Sequence, residues 1–177
     1  MAITKIQSES LNLSDNYDFT GTVTGAGEAN TPNFYAYGVD QAVSDNTSTK
    51  LTFSSEVVDS DSAYDTSNYR FTVPSGKAGL YFFNTTFRFQ GGMLSQLSLN
   101  YKKNGSNISS FYDYSGGVGT AIYNSQEYTT RNVTLLQNLS AGDYIEVFAL
   151  FDIISGSTLQ CDTRQNVGEF SGFRITS

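Results

Sequence analysis

The chain has 177 residues, 15% of them charged, with a net charge of −7 and no histidine; this length suits one domain able to bury roughly 70% of the surface its unfolded form exposes. Its ten Lys and Arg form no run longer than Lys102-Lys103, which argues against a nucleic-acid partner, held by clustered cations, and against docking on anionic membrane. Without histidine there is no Ser-His-Asp or Cys-His catalysis, and a lone Cys161 leaves no intrachain disulfide and no zinc site.

Hydrophobic content is 38% and aromatic content 14%, with 12 Tyr, 13 Phe and no Trp, a globular and β-leaning composition. No run approaches membrane-spanning length, and Met1-Ala2-Ile3-Thr4-Lys5 lacks the apolar stretch of a secretory signal. The sequons at Asn84, Asn107 and Asn132 are then read as accidents of an Asn-, Ser- and Thr-rich composition. Nothing in the sequence asks for a cofactor.

Residues 1–31 are polar, with short alternating pieces at Leu11/Leu13 and Phe19/Gly21/Val23. Too few large apolar groups are present for a core, so the segment reads as an extended arm, with Leu11, Leu13, Tyr17, Phe19 and Val23 as its anchoring side chains. An ordinary first strand pair is the alternative. Residues 32–177 then read as the domain proper.

Strand signals follow at Phe34–Gly38, Thr49–Val58, Tyr69–Val73 and Gly79–Phe89, then at Gln96–Lys103 and Asn107–Tyr114. Tyr128–Leu139, Asp143–Ile154 and Glu169–Ile175 complete the set. Period two places Leu51/Phe53/Val57, Leu97/Leu99/Tyr101, Val133/Leu135/Leu139 and Ile145/Val147/Phe151 each on one strand face. Tyr81, Phe83, Phe87 and Phe89 share a face in the same way, while Leu80 and Phe82 precede Asn84, Thr86 and Arg88 on the other. A strand apolar on both faces calls for cover on both, and in a chain this short the second cover is another subunit. Asn104-Gly105 marks a type I′ hairpin, and Ser140-Ala141-Gly142-Asp143 breaks two strong runs. No segment reads as an amphipathic helix. The expectation is all-β, a jelly-roll sandwich of about ten antiparallel strands.

Six segments resemble the globular head of the complement C-one-q and tumour necrosis factor family, in that family's order. They are Phe53–Val58, Tyr69–Pro74, Gly79–Phe83, Leu99–Gly105, Leu139–Val147 and Phe170–Ile175, with Tyr64-Asp65 between the first two. The resemblance implies a homotrimer around a three-fold axis, with Tyr81, Phe83, Phe87, Phe89, Val147 and Phe173 divided between the core and the contact of subunits. The collagen stalk common in animal members is missing from the residues before Phe34. Instead Ile6–Val23 is similar to segments that precede such domains in tailed-phage structural proteins.

Asp59, Asp61 and Asp65 are the candidate carboxylates for glycoside hydrolysis, but they sit in a Ser-rich stretch with nothing visible to raise a pKa. Asp59 and Asp61 are also weak calcium candidates, since some members of the resembled family bind calcium, yet Ala63 breaks the EF-hand pattern. Tyr112, Asp113 and Tyr114, ahead of Gly116-Gly117, suit a loop that contacts sugar or protein; a strand entering a Gly-rich loop is the plainer reading. The expected function is a non-enzymatic virion structural protein of a tailed phage, a trimeric capsid decoration or knob held by its arm. The alternative is the receptor-binding tip of a tail or head fibre. The expected partners are itself, other virion proteins and a host surface glycan, at the virion.

Overall fold

A computed structural model describes residues 30–90, 93–114, 128–156 and 158–176. The expected arm, with Leu11, Leu13, Tyr17, Phe19 and Val23, lies outside them. Thirteen strands and no helix occur among the described residues. They are β1 (Asn33–Tyr37), β2 (Asp40–Ser44), β3 (Thr49–Lys50), β4 (Ser55–Asp59), β5 (Tyr64–Asp65), β6 (Arg70–Thr72) and β7 (Gly79–Gln90). After these come β8 (Met93–Lys103), β9 (Ser106–Tyr114), β10 (Thr129–Leu139), β11 (Tyr144–Ser155), β12 (Thr158–Asp162) and β13 (Glu169–Thr176).

Two sheets form a jelly-roll sandwich. Sheet A centres on β7, which pairs with β10 on one side and with β12 and β13 on the other; β2 extends from β12, while β1 and β4 extend from β13. Sheet B runs β5-β6-β11-β8-β9, with β3 also on β11. Every pairing between strands is antiparallel. Positive φ at both Asn104 (51°) and Gly105 (80°) makes the β8–β9 turn the type I′ geometry expected of Asn-Gly.

The core fills the space between the sheets, and period two selects its members. Tyr81, Phe83, Phe87 and Phe89 of β7 are buried, as are Leu97, Leu99 and Tyr101 of β8 and Ile145, Val147, Ala149 and Phe151 of β11. Phe170 of β13 sits among rings from both sheets, 4.9 Å from Phe34 edge-on and within 6.3 Å of Phe53, Tyr64, Phe83 and Tyr101. Tyr101 reaches across the sandwich, where its hydroxyl donates to the Val133 carbonyl at 2.8 Å and accepts from Thr85 at 2.9 Å. Thr85 is the polar position in the aromatic face of β7, and this bond is what lets it be buried. Cys161 is also fully buried, and burial pushes its thiol far above the ordinary value, so it acts as a small apolar filler.

Two expectations need correction. Thr49–Val58 is not one strand: β3 pairs with β11 in sheet B, β4 with β1 in sheet A, and Leu51–Ser54 carry the chain across. Leu51 and Phe53 are therefore buried, whereas Val57, expected on the same face, is 54% exposed. The short strands β2, β5 and β12 were not anticipated.

Candidate interaction surface

The outer face of sheet A takes the other set of alternating positions, and the register arranges them in rows across the strands. Phe82 of β7 is flanked by Leu136 of β10 and Phe173 of β13, with the Phe82 and Phe173 rings 5.5 Å apart. Leu136 is 60% exposed, and Phe173 and Ile175 are also exposed. Leu80 stands one row away, opposite Asn138 and Thr176. Aliphatic and aromatic groups of this size each gain roughly 1.5–3 kcal/mol on full burial, so the row is a surface that gains by being covered.

Along the same face the chemistry changes. The next row is Val58, Tyr35, Ser171, Asn84 and Thr134, and beyond it lie Glu169, Thr86 and Asn132. Asn132 Nδ2 donates to Asn84 Oδ1 and to Thr86 Oγ1, both at 2.7 Å, and Asn84 Nδ2 donates to Glu169 Oε1 at 2.6 Å. Tyr35, Thr86, Asn166, Val167, Gly168 and Glu169 line a cleft of about 330 Å³ beside this network. Burial, and after it the charge of Glu169, raises the Tyr35 phenol above its ordinary pKa and keeps it a donor. At the far rim Arg88 meets Asp162 at 2.5 Å and lies 4.2 Å from the centre of the Tyr128 ring. Hydrogen bonds from Arg164 first, and then from Arg88, hold the Asp162 carboxyl far below the usual carboxylate range.

The residues singled out from sequence fall in separate places. Tyr81, Phe83, Phe87, Phe89 and Val147 fill the core, and Phe173 stands on the outer face of sheet A. Tyr112, Asp113 and Tyr114 belong to strand β9, not to a loop, because β9 stays paired with β8 through Tyr114. Tyr112 is 59% exposed opposite Ser98, while Asp113 pairs with Arg131 of β10 at 3.0 Å. Neighbouring strand positions point to opposite faces, so those two do not form one site. Asp59 spends both carboxylate oxygens on the Ala63 and Tyr64 backbone N–H groups, and Asp61 accepts from the Ser60 hydroxyl. Hydrogen bonds from Asn68 and Ser67 lower the Asp65 pKa, the wrong direction for a general acid. No group of three or more Cys, Asp or Glu placed to hold a metal occurs among the described residues.

The Glu169–Asn84–Asn132–Thr86 network escaped the sequence reading. Its members come from three strands up to 85 residues apart, and each alone looks like a solvated polar position.

No family model and no curated protein matches the chain. Solved structures do resemble it. The globular domain of zebrafish complement 1qA protein aligns at 17% identity over 82% of this chain and 98% of that one, with a TM-score of 0.55. An Eiger TNF from S. frugiperda aligns at 9% identity over 82% and 92%, with a TM-score of 0.60. Murine APRIL aligns at 11% over 81% and 98%, with a TM-score of 0.56. At such identities the likeness is one of fold: the chain has the complement and tumour necrosis factor type of jelly roll.

Proposed function

We propose that this chain is a non-enzymatic structural protein on the surface of a tailed-phage virion, a homotrimer whose copies meet on the outer face of sheet A. Residues 1–31 attach it to the particle as a capsid decoration or knob. The observation that carries the trimer is the row Leu136–Phe82–Phe173, with exposed Leu136 and Phe173 flanking half-buried Phe82 and Leu80 beside it, on a face that no described residue covers. Assembly around a three-fold axis hides it in every copy. The fold supports the trimer, and the similarity of Ile6–Val23 to phage virion segments supports the attachment. Three arms on one trimer bind a lattice far more tightly than one, because the second and third arms attach at high effective concentration.

Light scattering tests the assembly. The full chain should run at three times 19.3 kDa, and a shortened chain beginning at Pro32 should run at three times its own smaller mass. A monomeric full chain overturns the trimer. An antibody against the chain should decorate intact virions of the source phage, and unlabelled particles remove the virion role. The receptor-binding tip is the second reading, favoured by the polar cleft at the end of the same face and by the exposed Tyr112.

A further inference from the structure

We infer that the cleft bounded by Tyr35, Thr86, Asn166 and Glu169 binds hexose units of a neutral glycan. This goes beyond the trimer reading and does not rest on it. At about 330 Å³ the cleft falls at the lower end of the size of ligand sites, roughly 300–1,000 Å³.

The polar groups decide the ligand class. The amide chain runs one way, from Asn132 through Asn84 to Glu169, so the Asn84 amide takes up Glu169 Oε1. No described residue donates to the second carboxylate oxygen of Glu169. The Thr86 Oγ1 accepts from Asn132 and keeps its own proton to donate. The Tyr35 phenol stays protonated and adds a second hydroxyl donor. The Asn166 amide, on a left-handed backbone at φ 70°, offers both a donor and an acceptor. The cleft thus presents donors and acceptors together.

An ammonium or guanidinium brings donors alone and leaves the Thr86 and Tyr35 protons unmatched. A carboxylate or phosphate meets the Glu169 charge in a chain of net charge −7. A sugar hydroxyl both donates and accepts, and two neighbouring hydroxyls can share the Glu169 carboxylate and the Thr86 hydroxyl. Val167 and the Tyr35 ring supply the apolar surface on which the C–H face of a pyranose packs. Close packing holds the floor: a Cβ at Gly168 would lie 2.6 Å from Thr163 Cα and 2.9 Å from the Asp162 carbonyl oxygen.

Affinity electrophoresis through gels cast with dextran, mannan or galactan tests the site, with polygalacturonate as the acidic comparison. The full chain and its Leu136→Asp variant are run side by side. At least one neutral polymer should retard both, and polygalacturonate neither. Glu169→Ala and Asn166→Gly should each weaken retardation about tenfold, the loss of one hydrogen-bonding partner for the sugar, and Tyr112→Ala should leave it unchanged. Asn166→Gly removes the amide while suiting the left-handed backbone, so it reports on the site without straining the fold. Retardation by none of the neutral polymers, or retardation that survives both Glu169→Ala and Asn166→Gly, overturns the site. Retardation confined to Leu136→Asp also overturns it, because the cleft then lies under a neighbouring copy; in that case the trimer stands.

Discussion

The inner and outer faces of sheet A are built from the same strands, residue by alternating residue, and they behave differently. On β7 the inner set is Tyr81, Phe83, Thr85, Phe87 and Phe89, all buried, with the Thr85 hydroxyl taken up by Tyr101 from the opposite sheet. The outer set is Leu80, Phe82, Asn84, Thr86 and Arg88, which changes from apolar to amide to charge along the strand. The inner face is uniform because it meets one environment, the sandwich core. The outer face is graded, and each zone of the gradient suits a different proposed neighbour: a second protein surface at the apolar end, a hydrogen-bonding ligand at the polar end. Alternation therefore locates the core, while change along a strand locates function.

Substitutions on the two faces should separate cleanly. Phe170→Ala, at the meeting point of rings from both sheets, should cost about 3–5 kcal/mol in urea unfolding, as large aromatic cavities do. A loss below about 1 kcal/mol would mean that the core does not close around this ring. Leu136→Asp should instead leave the subunit folded and remove roughly 1.5–3 kcal/mol of apolar burial per copy from the contact. Light scattering should then read 19.3 kDa in place of three times that mass, and an unchanged mass would separate the apolar row from assembly. Tyr101→Phe strands the Val133 carbonyl and the Thr85 hydroxyl, so the melting curve should show a loss of about 1–2 kcal/mol with no change in mass.

The smallest effect is electrostatic and lies on neither face. At the β10–β11 turn the Lys103 ammonium holds the Asp143 carboxyl down to about 2, helped by the Ser140 backbone N–H and the Asn104 amide. A carboxyl with a folded pKa below its unfolded value stabilises fully above the unfolded value, here near 3.8, and that contribution fades as the pH falls toward 2. Asp143→Asn should lower stability at pH 6 and flatten the acid limb of a melting-temperature profile. An acid limb as steep as before would take Asp143 out of the linkage.

What could be read in advance follows from how local each signal is. The long strands β7, β8, β10 and β11 carry three or more apolar groups at period two, enough to show inside from outside. The Thr49–Val58 segment keeps that period while changing sheets, so Val57 continues a pattern whose meaning ended at Phe53. β2 buries Val43 alone among its apolar positions and lies at a sheet edge, too little for alternation to register. The apolar end of the outer face was visible because Leu80 and Phe82 stand out where a solvated strand would carry polar groups. The cleft was not, because Tyr35, Thr86 and Glu169 become neighbours only once β1, β7 and β13 are aligned.

Strand β13 also sets a rule of timing. It lies between β7 and β1, and β4 joins the sheet only through β1. β1 and β4 must therefore wait for Glu169–Thr176 before they have a place in sheet A. Pairings so distant along the chain form slowly. A copy halted before Phe170 lacks the ring against which Phe34 packs and leaves the edge of β7 from Leu80 to Thr86 unpaired. Formation of β13 is thus an inspection step for sheet A, since a copy without it lacks the Phe173 side of the apolar row.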